Sequence, residues 1–141
     1  MGLKRSHLKS ESFVYTLAFG KISNQNLMEH VIALNNETQD IPDFLELADC
    51  RQIESVDELS VQGTISSSNL EISRPESKLA ILVPEDKTLI FGLARTYQMF
   101  SEEKRKAVIV TNKLEEALNF LFEDKDLTSV LEFIEQSSTQ S

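Results

Sequence analysis

The polar residues with the most chemical potential follow two apolar segments that read as buried strands. Asp49 and Cys50 come directly after residues 44–48, and Asp86 follows residues 79–83. Because ligands of parallel α/β sheets bind beyond the carboxyl ends of strands, these three residues are candidates for the rim of a ligand site. Their acidity disfavours an anionic ligand there. The alternative is turn chemistry, in which Asp49 binds a loop amide and Asp86 caps a helix.

Two histidines are the other candidates for acid–base chemistry or metal binding. His7 lies in a predicted edge strand, and His30 flanks the apolar stripe of the first predicted helix. The pattern favours solvated or helix-edge histidines over a general base or a metal ligand. No Cys/His pair has the spacing of a zinc site, and no glycine-rich phosphate loop or nucleophile elbow is present. The sequence therefore predicts no metal, no cofactor and no enzyme activity.

A third group of residues lies on one flank of a predicted helix. Phe91, Arg95 and Met99 recur every four residues, outside the apolar stripe that begins at Ile90. Arginine and bulky apolar side chains concentrate in binding hot spots, so this flank is a candidate partner-binding face. The alternative is a wide core stripe in which Arg95 extends to solvent or pairs with a carboxylate.

The amino-acid composition limits which fold classes and which kinds of partner the chain can have. The 141 residues are 40% hydrophobic and 26% charged, which predicts one globular domain spanning residues 1–141 with frayed tails near 1–3 and 137–141. A net charge of −9 argues against nucleic acid and anionic membrane surfaces as partners. No apolar run approaches the ~20 residues of a membrane span. The single cysteine fits a reducing compartment, and we expect a cytoplasmic protein.

The N-terminal half predicts a hairpin, a helix and a short strand. "SFVYTLAFGKIS" alternates large apolar residues with a period of two, and a strand at about residues 4–9 can pair back onto it. Ser23 suits an N-cap for the helix that follows. Residues 44–48 read as a short buried strand. Ser55 and Glu58 match a capping box, which predicts a helix from about Val56 across residues 56–72.

The C-terminal half alternates strands and helices. Residues 79–83 form an apolar run typical of a strand covered on both faces, and Asp86 can cap a helix beginning at Lys87. Residues 106–112 read as a strand, and two amphipathic helices follow. The element order ββαβαβαβαα predicts an α/β fold. Its sheet is small, mixed and mostly parallel, with four to five strands and an N-terminal antiparallel hairpin, and it is flanked by helices.

The segments "KLAILVPEDKTLIFGLARTYQMF" and "KAVIVTNKLEEALNFL" resemble the SpoIIAA-like family, a branch of the STAS domains (sulfate transporter and anti-sigma factor antagonist). The matching positions are residues 79–84, 92–97, 107–110 and 116–121. With the first strand, "YTLAFGKIS", the resemblance covers about residues 13–121. It implies a small α/β sandwich and, for most members, no established enzyme activity.

The sequence departs from the STAS pattern at the regulatory turn. STAS antagonists of anti-sigma factors carry a phosphorylatable serine in an Asp-Ser-Ser-Gly turn, and the corresponding region here is "IESVDEL", residues 53–59. Ser55 matches the first serine, but Val56 stands where the regulated serine belongs, and Asp57 replaces the glycine. A phosphoryl switch needs a hydroxyl at a helix N-terminus. The usual switch is therefore not predicted, and Ser55 is the only substitute phosphorylation candidate.

Three functional hypotheses follow from these observations. The first is a non-catalytic interaction module that binds a protein partner or a second copy of itself. The second is a carrier or sensor of a small apolar or lipid-like ligand, which the relation of the STAS fold to the lipid-binding CRAL-TRIO group allows. It predicts a cavity lined by aromatic residues such as Phe13, Phe19, Phe44, Phe91 and Phe120. The third is an enzyme using Asp49, Cys50 or His30, which no catalytic motif supports.

Overall fold

The computed structural model describes residues 2–123 and 125–139. Within them, five strands and five α-helices follow one another in the predicted order. The elements are β1 (Gly2–Leu8), β2 (Phe13–Ser23), α1 (Asn24–Glu37), β3 (Leu45–Glu58), α2 (Val61–Asn69), β4 (Arg74–Leu82), α3 (Thr88–Ser101), β5 (Arg105–Thr111), α4 (Leu114–Phe122) and α5 (Thr128–Ser137).

The strands form one mixed sheet in the order β1-β2-β3-β4-β5. β1 pairs antiparallel with β2, from Gly2 opposite Phe19 to Leu8 opposite Phe13, while the remaining pairs are parallel. This confirms the predicted mostly parallel sheet with an N-terminal antiparallel hairpin. Strands that are neighbours in sequence are also neighbours in the sheet, so each helix that joins two parallel strands makes one short crossover.

Helices cover both faces of the sheet. On one face, α4 and α5 pack their buried residues, such as Leu118 and Ile134, against Tyr15 and Leu17 of β2. On the other face, α3 packs Ile90 and its buried neighbours against strand residues that include Ala18, Ile53 and Leu79. α1 and α2 lie on this second face as well, because Leu27 and Thr64 share a cavity with residues of α3. The sheet is therefore buried on both sides, which explains the continuous apolar run in β4.

The structure contains the N-cap that the sequence predicts for the first helix. Ser23 is the N-cap of α1, and its hydroxyl accepts a hydrogen bond from the Asn26 backbone N–H at 3.1 Å. The Asn26 side chain accepts in return from the Ser23 backbone N–H at 2.9 Å. This reciprocal capping box fixes the start of α1 directly after β2.

The predicted helix from Val56 is wrong at its start. Strand β3 extends to Glu58, far beyond the short strand predicted at residues 44–48, and α2 begins only at Val61. Its N-cap is Ser60, whose hydroxyl accepts from the Gly63 backbone N–H at 2.9 Å. Ile53 and Val56 are buried within the core of the α3 face. Burial of these side chains in an irregular strand overrides the capping-box signal of Ser55 and Glu58.

The predicted start of α3 also needs correction. Asp86 is exposed in the turn before the helix and does not cap it; the N-cap position belongs to Lys87, which forms no side-chain cap. Lys87 instead donates through Nζ to the backbone carbonyl of Ile53 at 3.0 Å. This contact ties the start of α3 to β3.

The ends of the chain complete the fold. Gly2 and Leu3 pair with β2, and Ser137 is the last residue of α5. Residues 1, 140 and 141 of the predicted frayed tails lie outside the described residues. Of the helices formed by residues 2–123 and 125–139, none combines the length and the apolar character needed to cross a membrane.

Candidate functional site

A cavity of about 100 Å³ lies between the sheet and helices α1, α2 and α3. Most of its wall is aliphatic. The apolar lining consists of Leu3, Ala18, Ile22, Leu27, Ala48, Ile53, Val56, Leu59, Leu79, Ile81, Ile90, Leu93 and Ala94. A concave apolar site with a few polar groups is the usual form of a small-molecule site.

Five polar side chains also line the cavity: His30, Glu46, Cys50, Thr64 and Tyr97. The most buried charge among them is Glu46 at the start of β3, which is 2% exposed. Its Oε2 accepts from the Thr16 hydroxyl at 2.9 Å and lies 3.4 Å from His30 Nε2. Its Oε1 accepts from Arg105 Nη2 at 3.2 Å. Glu46 is therefore held by three partners.

The hydrogen bonds of His30 define its tautomer. Nη1 of Arg5 lies 3.1 Å from His30 Nδ1. A guanidinium can only donate, so Nδ1 is the acceptor and Nε2 carries the hydrogen that faces Glu46. Arg5 is in turn paired with Glu37, at 3.0 Å between Nε and Oε1. Both ring nitrogens of His30 are thus occupied by protein groups.

Arg105 links Glu46 to a second buried carboxylate. Its Nε and Nη2 donate to the two oxygens of Glu71, each at 3.1 Å. The Tyr97 hydroxyl also donates to Glu71. The guanidinium lies 5.0 Å from the centre of the Phe44 ring. Bidentate pairing and stacking suit arginine at a buried site. Among the described residues, Arg105 Nη1 has no hydrogen-bond partner.

The charges of this network reinforce one another. Burial raises the pKa of Glu46, but hydrogen bonding from His30 and the charge of Arg105 outweigh it and lower that pKa to about 2. Burial also opposes the charge of Arg105, yet Glu71 and Glu46 raise the pKa of its guanidinium above the ordinary value. Burial, followed by the charge of Glu71, raises the pKa of Tyr97 well above the ordinary value. These three groups hold fixed protonation states across the neutral range.

Cys50 lines the cavity as a neutral thiol. Burial, followed by the negative charges of Asp49 and Glu46, raises the pKa of Cys50 to about 12. Its Sγ lies 4.0 Å from the Ala48 carbonyl oxygen. Because the thiolate is the reactive form of cysteine, this environment disfavours a nucleophilic role.

Asp49 belongs to a different environment from Cys50. Its Oδ2 accepts from the Tyr15 hydroxyl at 2.7 Å and from Arg51 Nη2 at 2.9 Å, and the side chain is 1% exposed. Tyr15 belongs to the core under α4 and α5. Asp49 also accepts from the Arg51 backbone N–H at 3.1 Å, a local bond within β3 and not the loop contact that the turn alternative predicts.

The predicted ligand rim does not form. Asp49 lies inside β3, opposite Leu17 and Leu82, and not beyond the end of the strand. Cys50 faces the cavity on the opposite side of the sheet, and Asp86 lies in an exposed turn. The expectation failed because β3 continues ten residues farther than the apolar run at 44–48 suggested, from 48 to Glu58.

The predicted partner-binding flank is exposed to solvent. Phe91 is 46% exposed and Met99 is 65% exposed, and Arg95 between them is also exposed. Arg95 Nη1 donates to Gln98 Oε1 at 2.6 Å. These exposures do not fit the alternative of a wide core stripe.

The remaining candidates make local contacts. Ser55 lies in β3, where its hydroxyl accepts from the Asp57 backbone N–H at 3.1 Å, and no helix begins beside it. Nε2 of His7 lies 2.7 Å from Glu37 Oε1. Within the described ranges, no group of three or more His, Cys, Asp or Glu residues is arranged to hold a metal ion.

The cavity differs from the aromatic one that the sequence predicted, because no phenylalanine lines it. Phe13, Phe19 and Phe120 pack in the core under α4 and α5, Phe44 packs with Val14 and Leu34, and Phe91 is exposed. Sequence reasoning missed Glu46 and Arg105. The signal for Glu46 was a carboxylate inside the apolar segment "FLELA", which in a buried strand requires a buried cation.

Comparison with known proteins supports the fold. No family model matches the sequence, and no curated protein matches it. Among solved structures, the chain is similar to an uncharacterised protein of the DUF3478 family with a SpoIIAA-like fold, from Shewanella loihica PV-4. The TM-score is 0.54 at 15% identity, covering 85% of this chain and 92% of that one. The SpoIIAA-like fold predicted from the sequence is thereby confirmed.

Proposed function

We propose that this SpoIIAA-like domain is a non-catalytic binding module whose cavity takes a small, neutral, mostly apolar molecule. The observation that carries the proposal is the cavity of about 100 Å³ lined mainly by aliphatic side chains of the sheet and three helices. An engineered apolar cavity of about 150 Å³ stays dry and binds benzene or xenon. The volume therefore suits a ligand of a few carbon atoms, and it is too small for a long acyl chain.

The polar groups at the cavity define the chemistry of the ligand. The donors of His30 and Tyr97 face Glu46 and Glu71, and the Thr64 hydroxyl donates to the Ser60 carbonyl oxygen at 2.8 Å. Among the described residues that line the cavity, Cys50 adds only a weak S–H, which lies 4.0 Å from the Ala48 carbonyl oxygen. Burying an acceptor without a partner costs about 1–3 kcal/mol, so polar ligands are disfavoured.

The absence of catalysis is part of the proposal and rests on the protonation states at the cavity. Cys50 is held as a thiol, and Glu46 is held as a carboxylate by its three partners. A general acid or base works best with a pKa near the working pH, and neither group meets that condition. The free cysteine is compatible with a reducing compartment, and we propose a cytoplasmic location.

The test is a titration of the isotope-labelled protein with benzene, xenon and, as a polar control, phenol. We expect saturable amide shifts around the cavity with benzene or xenon, and weaker binding of phenol. Ala94→Leu fills the cavity from α3 and is expected to abolish binding. Thr96→Leu places the same side chain on the same helix outside the cavity and is expected to leave binding unchanged. Equal binding by Ala94→Leu and the wild type would refute the proposal.

A second candidate function is favoured by the exposed flank of α3. We propose that Phe91, Arg95 and Met99 bind a protein partner that supplies an acidic side chain for Arg95. We propose that this binding has no phosphorylation switch at the usual position, because Val56 has no hydroxyl. Affinity capture from the native host with wild type and with Phe91→Asp tests this. The partner should be lost with Phe91→Asp and kept with Leu131→Asp, which changes an equally exposed residue of α5.

A further inference from the structure

Four exposed apolar side chains lie on α1 and around the end of α2, and we call this surface the α1–α2 face. Met28 and Ile32 of α1 are 41% and 46% exposed, and Leu70 and Ile72 are 43% and 53% exposed. Met28 and Ile32 are one helical turn apart on the same side of α1. Monomeric proteins rarely expose large contiguous apolar patches without a binding role.

The four side chains form one continuous surface. Met28 and Leu70 line the same shallow groove between α1 and α2. The Asn35 side chain donates to the Leu70 carbonyl oxygen at 2.9 Å and accepts from the Ile72 backbone N–H at 3.2 Å. Asn35, three residues after Ile32 in α1, therefore holds the segment with Leu70 and Ile72 against this helix.

The α1–α2 face is almost free of charge. No residue from Leu59 to Leu70 is charged, and none from Asn24 to Met28, on a chain of net charge −9. Two copies of such an acidic chain repel each other over most of their surface. Interface centres are depleted of charged residues, so a neutral apolar surface is where two copies can meet at the lowest electrostatic cost.

The charges at the edge of this face are complementary between copies. Glu29 lies three residues before Ile32 in α1. Arg74 contacts α1 three residues after Ile32, where its Nη2 lies 3.4 Å from the Asn35 carbonyl oxygen. Within residues 2–123 and 125–139, neither Glu29 nor Arg74 forms an ion pair. If two copies met about a two-fold axis beside Ile32 with their α1 helices antiparallel, Glu29 of each copy would face Asn35 of the other, the residue that Arg74 contacts.

We infer that the α1–α2 face is the interface of a two-fold symmetric homodimer. Such an interface is self-complementary, and here Glu29 and Arg74 at its edge carry opposite charges. The inference is independent of the cavity and of the exposed flank of α3, since it uses residues of neither site.

Sedimentation equilibrium of the full chain between about 1 and 100 µM tests the inference. We expect a monomer–dimer equilibrium for the wild type, and monomers for Ile32→Asp. Ile72→Asp is a second disruption of the same face, in case Ile32→Asp does not fold by circular dichroism. Leu131→Asp places the same charge on a similarly exposed apolar residue of α5, outside the face, and should still dimerise. A monomeric wild type, or a dimer that survives Ile32→Asp and Ile72→Asp, would overturn the inference.

A charge exchange tests the orientation of the two copies. Glu29→Arg and Arg74→Glu should each weaken dimerisation at least about tenfold, because each places two like-charged pairs across the interface. The double variant restores opposite charges and should recover most of the lost affinity. The effect should shrink as salt is added, because exposed pairs are screened. Additive losses in the double variant would rule out the antiparallel arrangement.

Discussion

Asp49 and Cys50 are consecutive residues, and their side chains lie on opposite faces of the sheet. Asp49 binds Tyr15 and Arg51 in the layer under α4 and α5, while Cys50 lines the cavity under α1, α2 and α3. Successive side chains of a strand alternate between its two faces, so a pair that looks like one site in the sequence is divided by the backbone. The two groups cannot act together on one substrate.

The environment of Cys50 predicts slow thiol chemistry. A pKa raised from 9.0 to about 12 lowers the thiolate fraction about 1,000-fold at neutral pH. We expect iodoacetamide to alkylate Cys50 of the folded protein at least about 100-fold more slowly than in urea. Mass spectrometry of quenched samples follows both rates. Similar rates in the two conditions would show that the thiol is accessible and ionised in the fold.

The two tyrosines predict an unusual alkaline titration. Burial raises the pKa of Tyr15 and of Tyr97, and the carboxylates of Asp49 and Glu71 raise them further. Ultraviolet absorbance should therefore show no phenolate near the ordinary pKa of 10.0, and ionisation should coincide with loss of the circular dichroism of the fold. Tyr15→Phe should halve the final absorbance change and leave this coincidence intact. A resolved ionisation near pH 10 in the folded protein would contradict the described contacts.

The closeness of Gly63 to Asn24 predicts a sign reversal in a double-mutant cycle. A Cβ at position 63 would overlap the Asn24 side chain, whose Oδ1 accepts from the Ser60 backbone N–H at 2.9 Å. Gly63→Ala should destabilise the wild type by about 1 kcal/mol, because the displaced Asn24 loses this bond. In an Asn24→Ala background the overlap is gone, and Gly63→Ala should stabilise by up to about 1 kcal/mol through helix propensity.

Urea denaturation of the four proteins measures this cycle. The single variant Asn24→Ala serves as the reference for the loss of the hydrogen bond alone. If Gly63→Ala has the same effect in both backgrounds, the two residues do not interact.

The Glu46 carboxylate predicts loss of stability in acid. Its folded pKa of about 2 lies below the ordinary 4.5, so the unfolded chain binds this proton more readily than the folded one. The free energy of unfolding should fall as the pH decreases from about 4.5 towards about 2, with this contribution fully present above that window. Burial raises the pKa of Glu37, but hydrogen bonds from Arg5 and His7 outweigh it and lower that pKa. Protonation of Glu37 in acid therefore also lowers the free energy of unfolding.

Carboxyl ¹³C NMR reports the Glu46 titration directly and separates it from other acids. Glu46→Gln identifies its resonance and should flatten the acid limb of urea stability curves. Glu46→Gln should also lower the free energy of unfolding at neutral pH by about 3–5 kcal/mol, because it removes one partner of the buried ion pair with Arg105. A Glu46 titration near pH 4.5 would refute the described hydrogen bonding.

The order of elements and the type of sheet could be predicted from the sequence because both follow from local patterns. Alternation in β2, the Ser23 cap of α1 and the apolar run of β4 are each properties of a few neighbouring residues. The same reasoning failed at Ser55, where a capping-box pattern lies inside β3. Burial of Ile53 and Val56 decides that region, and burial depends on α3, which is distant in sequence.

The sequence by itself therefore determined the α/β fold and the absence of any recognised catalytic motif. Only the tertiary structure decided that Glu46, Glu71 and Arg105 share one buried network, because the pairing joins residues 34 and 59 positions apart. It also decided that aliphatic side chains line the cavity and that the phenylalanines pack elsewhere. Local periodicity tells which residues are buried, and the packing of helices on each face decides which of them meet.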